Sequence, residues 1–457
     1  MSPAARVVVV GAGPAGMTAA LGLAEAGVAA VLVDEGREAG GQVFRAGPGG
    51  RDRRGAALRR RVAECAAIDH RAGHAAVTLD ADRRLGVLTP AGRLETLVPD
   101  AVLLAPGAVE LFVPVPGWTL PGVFGVGALQ LLWKSAAVLP QGPLVLAGAG
   151  PLPLLAAAQL AAAGAEVAAV VDAAARPGPS TLAGLAAAPG LLLRGMGLEL
   201  ALRRRSIPVL RGAAVAAVLG GPEHGAEGVE IVRLDRNWEP AGPVVRRIPA
   251  RTVGLGFGVR PNPELAAQAG CRLAWDPALG GWHPTTDAAG RTSLPGIYAA
   301  GDGAGIGGAD LALLAGARAA RTIAGDLGLP APPAARGEAL RAARLARFRG
   351  ALAAWCGVRP GIYRLAGPDT VVCRCEGTTA GEIEAAARLG AGSAAAVKLA
   401  TRAGMGSCQG RVCAGAVQHL AAAAASLDAG EPAPPSARPP ARPVPLSAWL
   451  SGCEPER

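Results

Sequence analysis

Four cysteines hold the most concentrated chemistry in the chain. Cys373 and Cys375 form a Cys-x-Cys pair in Val371-Val372-Cys373-Arg374-Cys375-Glu376-Gly377, and Cys408 and Cys413 form a Cys-x4-Cys pair after 32 intervening residues. Thiolates in two local pairs can close a metal site without long-range loop closure, and zinc or iron–sulfur would suit them. One residue between Cys373 and Cys375 is tighter than the roughly two-to-four-residue gap of zinc pairs. Lys398, Arg402 and Arg411 lie close in sequence and would offset the negative charge of an iron–sulfur centre. A helix expected to start within Cys408–Cys413 would aim backbone donors at the sulfurs. Iron–sulfur is favoured, with zinc the competitor. Cys65, Cys271, Cys356 and Cys453 are isolated and read as inert thiols.

The second concentration is glycine. Gly11-Ala12-Gly13-Pro14-Ala15-Gly16 follows the β-branched run Val7–Val10 and precedes an Ala/Leu-rich helical stretch, 17–26. A second strand, 28–33, then ends at Asp34 and Glu35, with Asp34 placed 23 residues after Gly11. Gly11 permits a tight turn, Gly13 lets backbone approach a pyrophosphate, and Gly16 allows close helix–strand packing. The helix N-terminus at Pro14 and Ala15 would face the phosphates, and Asp34 (Glu35 its near neighbour) would accept from ribose hydroxyls. A bound dinucleotide is the expectation.

Three further motifs follow in order: Gly40-Gly41-Gln42, Leu103-Leu104-Ala105-Pro106-Gly107, and Gly296-Ile297-Tyr298-Ala299-Ala300-Gly301-Asp302-Gly303. With the first fingerprint they resemble the two-dinucleotide-binding flavoproteins of the glutathione-reductase type. That resemblance implies FAD, with Gly41, Gln42, Gly107 and Gly301 at the cofactor and Asp302 near its ribityl chain. Pro106 departs from the family, which has Thr there. A second fingerprint, Gly148-Ala149-Gly150-Pro151-Leu152-Pro153, lies between strands 144–147 and 167–171 and is followed by Asp172. In the family this is the NAD(P) domain. Pro153 replaces its third glycine, so a retained fold that no longer takes NAD is favoured and NAD(P) is left open. Gln42-Val43-Phe44-Arg45, directly after Gly40-Gly41, holds no cysteine, and none lies between Cys65 and Cys271. A disulfide-reductase activity is therefore excluded.

The segment around the four cysteines resembles the bacterioferritin-associated-ferredoxin-like [2Fe–2S] module, although that pattern has Cys-x2-Cys as its second pair. With 109–122 and 256–262 added, nearly the whole chain resembles the FAD-containing α subunit of bacterial hetero-oligomeric amine and imino-acid dehydrogenases, among them opine oxidases, proline and hydroxyproline dehydrogenases and hydrogen cyanide synthase. The resemblance implies an oxidoreductase subunit that relays electrons through FAD and [2Fe–2S]. It also implies substrate oxidation on a D-amino-acid-oxidase-like β subunit, with a further partner in a small ferredoxin-like subunit, and FMN at a subunit interface in some members. The runner-up is a self-contained NAD(P)H-dependent reductase. No catalytic residue is assigned, because the five histidines are scattered outside the motifs.

These motifs need elements to hold them. The fold class expected is α/β, a glutathione-reductase-like two-dinucleotide-binding-domain flavoprotein with a small helical C-terminal [2Fe–2S] domain. Its expected parts are an FAD domain over 1–140 and 253–330, an inserted NAD-like domain over 141–252, a helical linker over 331–365, the cluster domain over 366–428 and a Pro-rich tail over 429–457. That tail, with seven prolines in 431–445, is expected to drape over a partner. The formal charge of +10 comes without a dense basic stripe or stacking aromatics, which argues against nucleic acid. Val7–Val10 is too short for a signal-peptide core, and prolines interrupt the long uncharged stretch 135–165, so neither a leader nor a membrane span is expected. A cytoplasmic location is expected, with peripheral attachment at the inner membrane face the alternative.

Overall fold

Val7–Val10 are all buried and pair in parallel register with Ala30–Asp34 on one side and Ala101–Leu104 on the other. Four β-branched residues buried on both faces suit the centre of a parallel sheet, where helices cover both sides. The strands Ile297–Ala299 and Ile68–Ala72 complete the edges, so the order is 297–299, 101–104, 7–10, 30–34, 68–72. Helices Pro14–Glu25 and Ala309–Asp326 pack against each other beside this sheet, and Ala15, Ala19, Ala20, Ala319, Ala320 and Ile323 fill their seam. Small side chains let the backbones approach closely: a Cβ on Gly316 would stand 2.1 Å from the Ala15 carbonyl oxygen. The structure, a computed structural model, describes residues 7–45, 47–48, 52–391, 393–426, 434 and 438–451.

The chain divides into two units: Met1–Val109, Arg260–Ala346 and Pro434–Arg457 form the first, and Glu110–Val259 and Arg347–Ala433 the second. The crossing after Val109 lies well before position 140, where the sequence placed it. The reason is pairing: Val123–Gly125 joins the second sheet beside Thr252–Gly256. In the second unit the parallel order is 123–125, 252–256, 144–148, 167–172, 209–211, with the glycine-loop strand again at the centre. A three-stranded antiparallel meander follows strand 68–72 in the first unit, at 75–97, and strand 209–211 in the second, at 213–249.

The 331–365 segment holds a helix, Glu338–Cys356, and a short 3-10 turn, Pro360–Leu365. The cysteine region belongs to the second unit. Its strand Val371–Cys373 and helices Ala380–Arg388, Ala394–Thr401 and Ala414–Ala424 bury Val372, Ile383, Val397, Val417 and Leu420 in that unit's main core. Thr379 and Glu382 cap the first of these helices reciprocally. The tail departs from expectation: its described part packs on the first unit, where Ala441 is buried and donates to the Val77 carbonyl at 2.6 Å. Cys453 lies outside the described residues. Among the described residues no single helix is long and apolar enough to cross a membrane.

Candidate functional site

The first glycine loop joins the C-terminal end of a central parallel strand to a helix N-terminus, where such folds hold ligands. Gly11 has φ +99° and a Cβ there would come within 2.2 Å of the Ala105 carbonyl oxygen, so only glycine makes this turn. A Cβ on Gly16 would stand 1.8 Å from the Gly11 carbonyl oxygen, which is the close helix–turn packing expected. At Gly13 a Cβ would meet nothing within 4 Å, so the loop backbone borders open space beside the helix that starts at Pro14. Asp34 ends the next strand and accepts from Ala12 N–H at 2.5 Å and Gly36 N–H at 2.7 Å, fixing its carboxylate at the lip of the loop.

The neighbouring acid behaves differently. Glu35 is ion-paired with Arg442 of the tail, so of the two acids named for the ribose only Asp34 is anchored on the glycine loop. Gly41 crosses close over Gly13, its would-be Cβ 2.9 Å from the Gly13 Cα, and Gln42 is exposed in the same turn. Gly107, at φ +73°, also borders open space. Gly301 lies against Ala15, and Asp302 accepts from Gly307 and Gly308 N–H at 2.9 and 2.8 Å, which braces the loop before the helix Ala309–Asp326. Pro106 is accommodated because Gly303 faces it: a Cβ on Gly303 would stand 2.8 Å from the Pro106 ring. All these positions sit at the C-terminal ends of strands in one sheet. An open glycine cradle, a helix N-terminus and an anchored acid suit the pyrophosphate and ribose of FAD.

The second fingerprint also leads from a strand end into a helix, but Gly150 has φ +82° where Gly13 has −73°. Gly148 approaches the Gly256 carbonyl closely, as Gly11 approaches Ala105. Gly150, the counterpart of Gly13, faces Cys356 at the end of the helix Glu338–Cys356, its would-be Cβ 3.2 Å from the sulfur. Trp355 donates its indole N–H to the Ala175 carbonyl at 2.8 Å. Asp172 is 2% exposed and accepts from Arg211 at 2.8 Å and Ala174 N–H at 3.0 Å. Burial pushes Asp172 up to about 6, against the pull of Arg211. Arg211 also pairs with Glu199 and lies 5.7 Å over the Trp355 ring. Glu110 stands against Gly256 and takes Gly127 N–H at 3.0 and 3.1 Å; burial pushes it up to about 7. Neither Glu110 nor the Cys356 cover was read from sequence. A lone thiol and a lone acid carry no spacing signal.

The four cysteines come together. Cys375 and Cys408 lie within hydrogen-bonding reach, as do Cys373 and Cys413, so each contact takes one thiol from each sequence pair. Cys373 and Cys413 are buried, Cys408 partly so, and Cys375 is exposed. Gly404 N–H points at Cys373 Sγ at 3.4 Å, and Gly406 passes so close to Cys375 that a Cβ would lie 2.1 Å from its own. The Cys408 N–H holds the Cys375 thiol below its usual value, while burial raises Cys413 and Cys408. Among the described residues no three His, Cys, Asp or Glu side chains gather about one point as a single ion requires. Two adjoining thiol pairs are the donor set of a two-iron centre.

Two expectations here need correction. The segment 408–413 is a series of turns, and the helix begins at Ala414 with Cys413 as its N-cap, because Gly410 at φ +83° breaks the helical path. Arg402 does not offset cluster charge as a lone cation, since it pairs with Glu376 at 2.9 Å. Arg411 reaches the Cys408 carbonyl at 3.5 Å.

With this geometry in hand, the comparisons with known proteins are decisive. Residues 5–319 match the family described as pyridine nucleotide-disulphide oxidoreductase. The chain belongs to this family. Residues 371–423 match the BFD-like [2Fe-2S] binding domain. An opine oxidase subunit from Agrobacterium tumefaciens (strain Ach5) is 36% identical over 91% of this chain and 85% of its own length. Hydrogen cyanide synthase subunit HcnB of Pseudomonas aeruginosa PAO1 is 38% identical over 97% and 98%. L-proline dehydrogenase from P. horikoshii shares the fold with TM-score 0.70 at 18% identity, covering 97% of this chain and 79% of that one. Thioredoxin reductase of T. acidophilum shares it over 70% of this chain and 98% of its own, at TM-score 0.52 and 20% identity. The chain is thus an FAD/[2Fe–2S] oxidoreductase subunit whose relatives are named as subunits of larger complexes.

Proposed function

We propose that this chain is the electron-transferring component of a hetero-oligomeric dehydrogenase acting on the C–N bond of an amino acid, imino acid or opine. The substrate is oxidised at a flavin on a partner subunit of the D-amino-acid-oxidase type. A small ferredoxin-like subunit would be a further partner, and a subunit interface would be the place for an FMN. Similarity to proteins named as subunits of opine oxidase and hydrogen cyanide synthase supports this class of complex. In this reading Gly11, Gly13, Pro14, Ala15, Gly16, Gly41, Gln42, Gly107 and Gly301 form the FAD cradle. Asp34 takes the ribose hydroxyls, Asp302 braces the ribityl side, and Cys373, Cys375, Cys408 and Cys413 ligate the irons.

Bound FAD exchanges one or two electrons and a [2Fe–2S] centre exchanges one, so the two together divide a two-electron oxidation into single-electron steps. The protein's share is placement. The helix at Pro14 directs N–H groups toward the pyrophosphate, and the Gly404 and Cys408 N–H groups stabilise thiolate charge at Cys373 and Cys375. The exposed Cys375 leaves one edge of the thiol set open to a partner.

The observation that carries the reading is the filled second crevice. Cys356 against Gly150 and Arg211 on Asp172 crowd the second fingerprint, which weighs against a self-contained NAD(P)H reductase. The test is to co-express the chain with a candidate partner flavoprotein of the D-amino-acid-oxidase type and add opines, imino acids and amino acids anaerobically. The expected result is a reduced [2Fe–2S] EPR signal that requires both subunits and one of these substrates. A complex whose iron–sulfur centre stays oxidised with every such substrate would sink the assignment.

A further inference from the structure

Trp118 is buried at 3% exposure in the turn Pro116-Gly117-Trp118, far in sequence from the cysteines. The turn is fixed: Gly117 has φ +77° and lies against the Val218 carbonyl, Trp118 N–H donates to Val115 at 3.1 Å, and Val218 N–H donates to Pro116 at 2.8 Å. From that base the indole N–H donates to the Val371 carbonyl at 2.5 Å. Val371 opens the strand that ends at Cys373. On the same ring the Arg374 guanidinium lies 5.2 Å from the centroid, within cation–π range. Arg374 is the one residue between Cys373 and Cys375. One side chain therefore grips the first ligand loop twice, at its backbone and at its only intervening side chain.

A core tryptophan needs neither contact to fill space. The pairing matters because of what surrounds the sulfurs. Arg402 is tied to Glu376, while Arg374 forms no ion pair among the described residues. An exposed arginine would otherwise swing into water and be screened within about 10 Å at ordinary salt. Held on the indole face, the guanidinium is kept on the Cys373–Cys375 loop.

We propose that Trp118 is a positioning residue for the iron–sulfur centre, acting through Arg374 to raise the centre's reduction potential, and through Val371 to fix the geometry of the Cys373–Cys375 loop. The inference rests on the [2Fe–2S] reading. Positive charge beside the centre favours the reduced form, which carries one more negative charge. No bond is made or broken.

The experiment is an EPR-monitored redox titration of the full chain, with iron content measured on each sample. The variants are Trp118→Leu, Arg374→Gln, the double variant, Trp118→Phe and Arg374→Lys. Arg374→Gln should shift the one-electron equilibrium against reduction by roughly tenfold, which is 59 mV for a single electron. Trp118→Leu should give a similar shift, and the double variant little more than either single one, because the two act in series. Trp118→Phe, which keeps a ring but loses the N–H, should retain most of the potential and broaden the EPR lines. Arg374→Lys should recover part of the loss. The exposed Arg374 keeps the test readable should Trp118→Leu fail to fold. Wild-type iron content with an unmoved potential in Arg374→Gln, and unbroadened lines in Trp118→Phe, would overturn the proposal. Wild-type protein with zinc or no iron would overturn the cluster reading as well, and the iron count tells the two failures apart.

Discussion

The two βαβ units of this chain share strand order, a glycine turn and a terminal acid, yet differ in what stands over the turn. In the first, Gly13 borders open space and Asp34 is held by two backbone N–H groups. In the second, Gly150 meets Cys356 and Asp172 is buried against Arg211. A dinucleotide fingerprint therefore specifies a turn, and its occupant is decided by segments far away in sequence. Here that segment is the end of the helix Glu338–Cys356, which leads into the cysteine-bearing region.

Four substitutions would break or sharpen this contrast. The largest effect belongs to Gly13→Val, whose Cβ enters the open space beside the helix N-terminus. It should fold, keep its iron, and purify without flavin, as read from absorbance near the flavin band. Asp34→Ala should weaken FAD retention roughly tenfold, the scale of one hydrogen bond to a charged group, as measured by flavin dissociation in dilute protein. Gly150→Ala, at φ +82° and against Cys356, should leave flavin content unchanged but lower stability by about 1–2 kcal/mol in denaturant unfolding. If it instead displaced flavin, the two turns would not be doing separate jobs.

The smallest effect concerns pH. Glu110 is raised from 4.5 to about 7 by burial, so its contribution to stability is fully present below about 4.5 and is lost as pH rises through about 7. Wild type should therefore lose on the order of 1–2 kcal/mol between pH 5 and 8 relative to Glu110→Gln, which accepts the same Gly127 N–H but does not titrate. Parallel pH profiles for the two proteins would show that Glu110 is ionised throughout.

Much of this was legible in the residues. Strand, turn, helix and strand at 7–34 carry both period and punctuation, and the paired cysteines declare a shared site by spacing alone. The erosion at Pro153 correctly hinted that the second fingerprint had changed. What stands against its turn was hidden, because Cys356 and Arg211 are single residues whose meaning comes only from tertiary approach. The crossing at Val109 was missed for a similar reason: a three-residue strand, Val123–Gly125, is assigned by its neighbour and not by its own pattern. Glu35 and Arg402 looked like free charges until the fold supplied Arg442 and Glu376.

The central claim is that electrons reach this chain's flavin and iron–sulfur centre from a partner and not from nicotinamide. Anaerobic mixing of the purified chain with excess NADH or NADPH, followed at the flavin band with dithionite as the positive control, tests it most directly. Dithionite is expected to bleach both flavin and iron–sulfur absorbance, while either nicotinamide leaves them unchanged over minutes. Rapid bleaching by NADH or NADPH would contradict the claim.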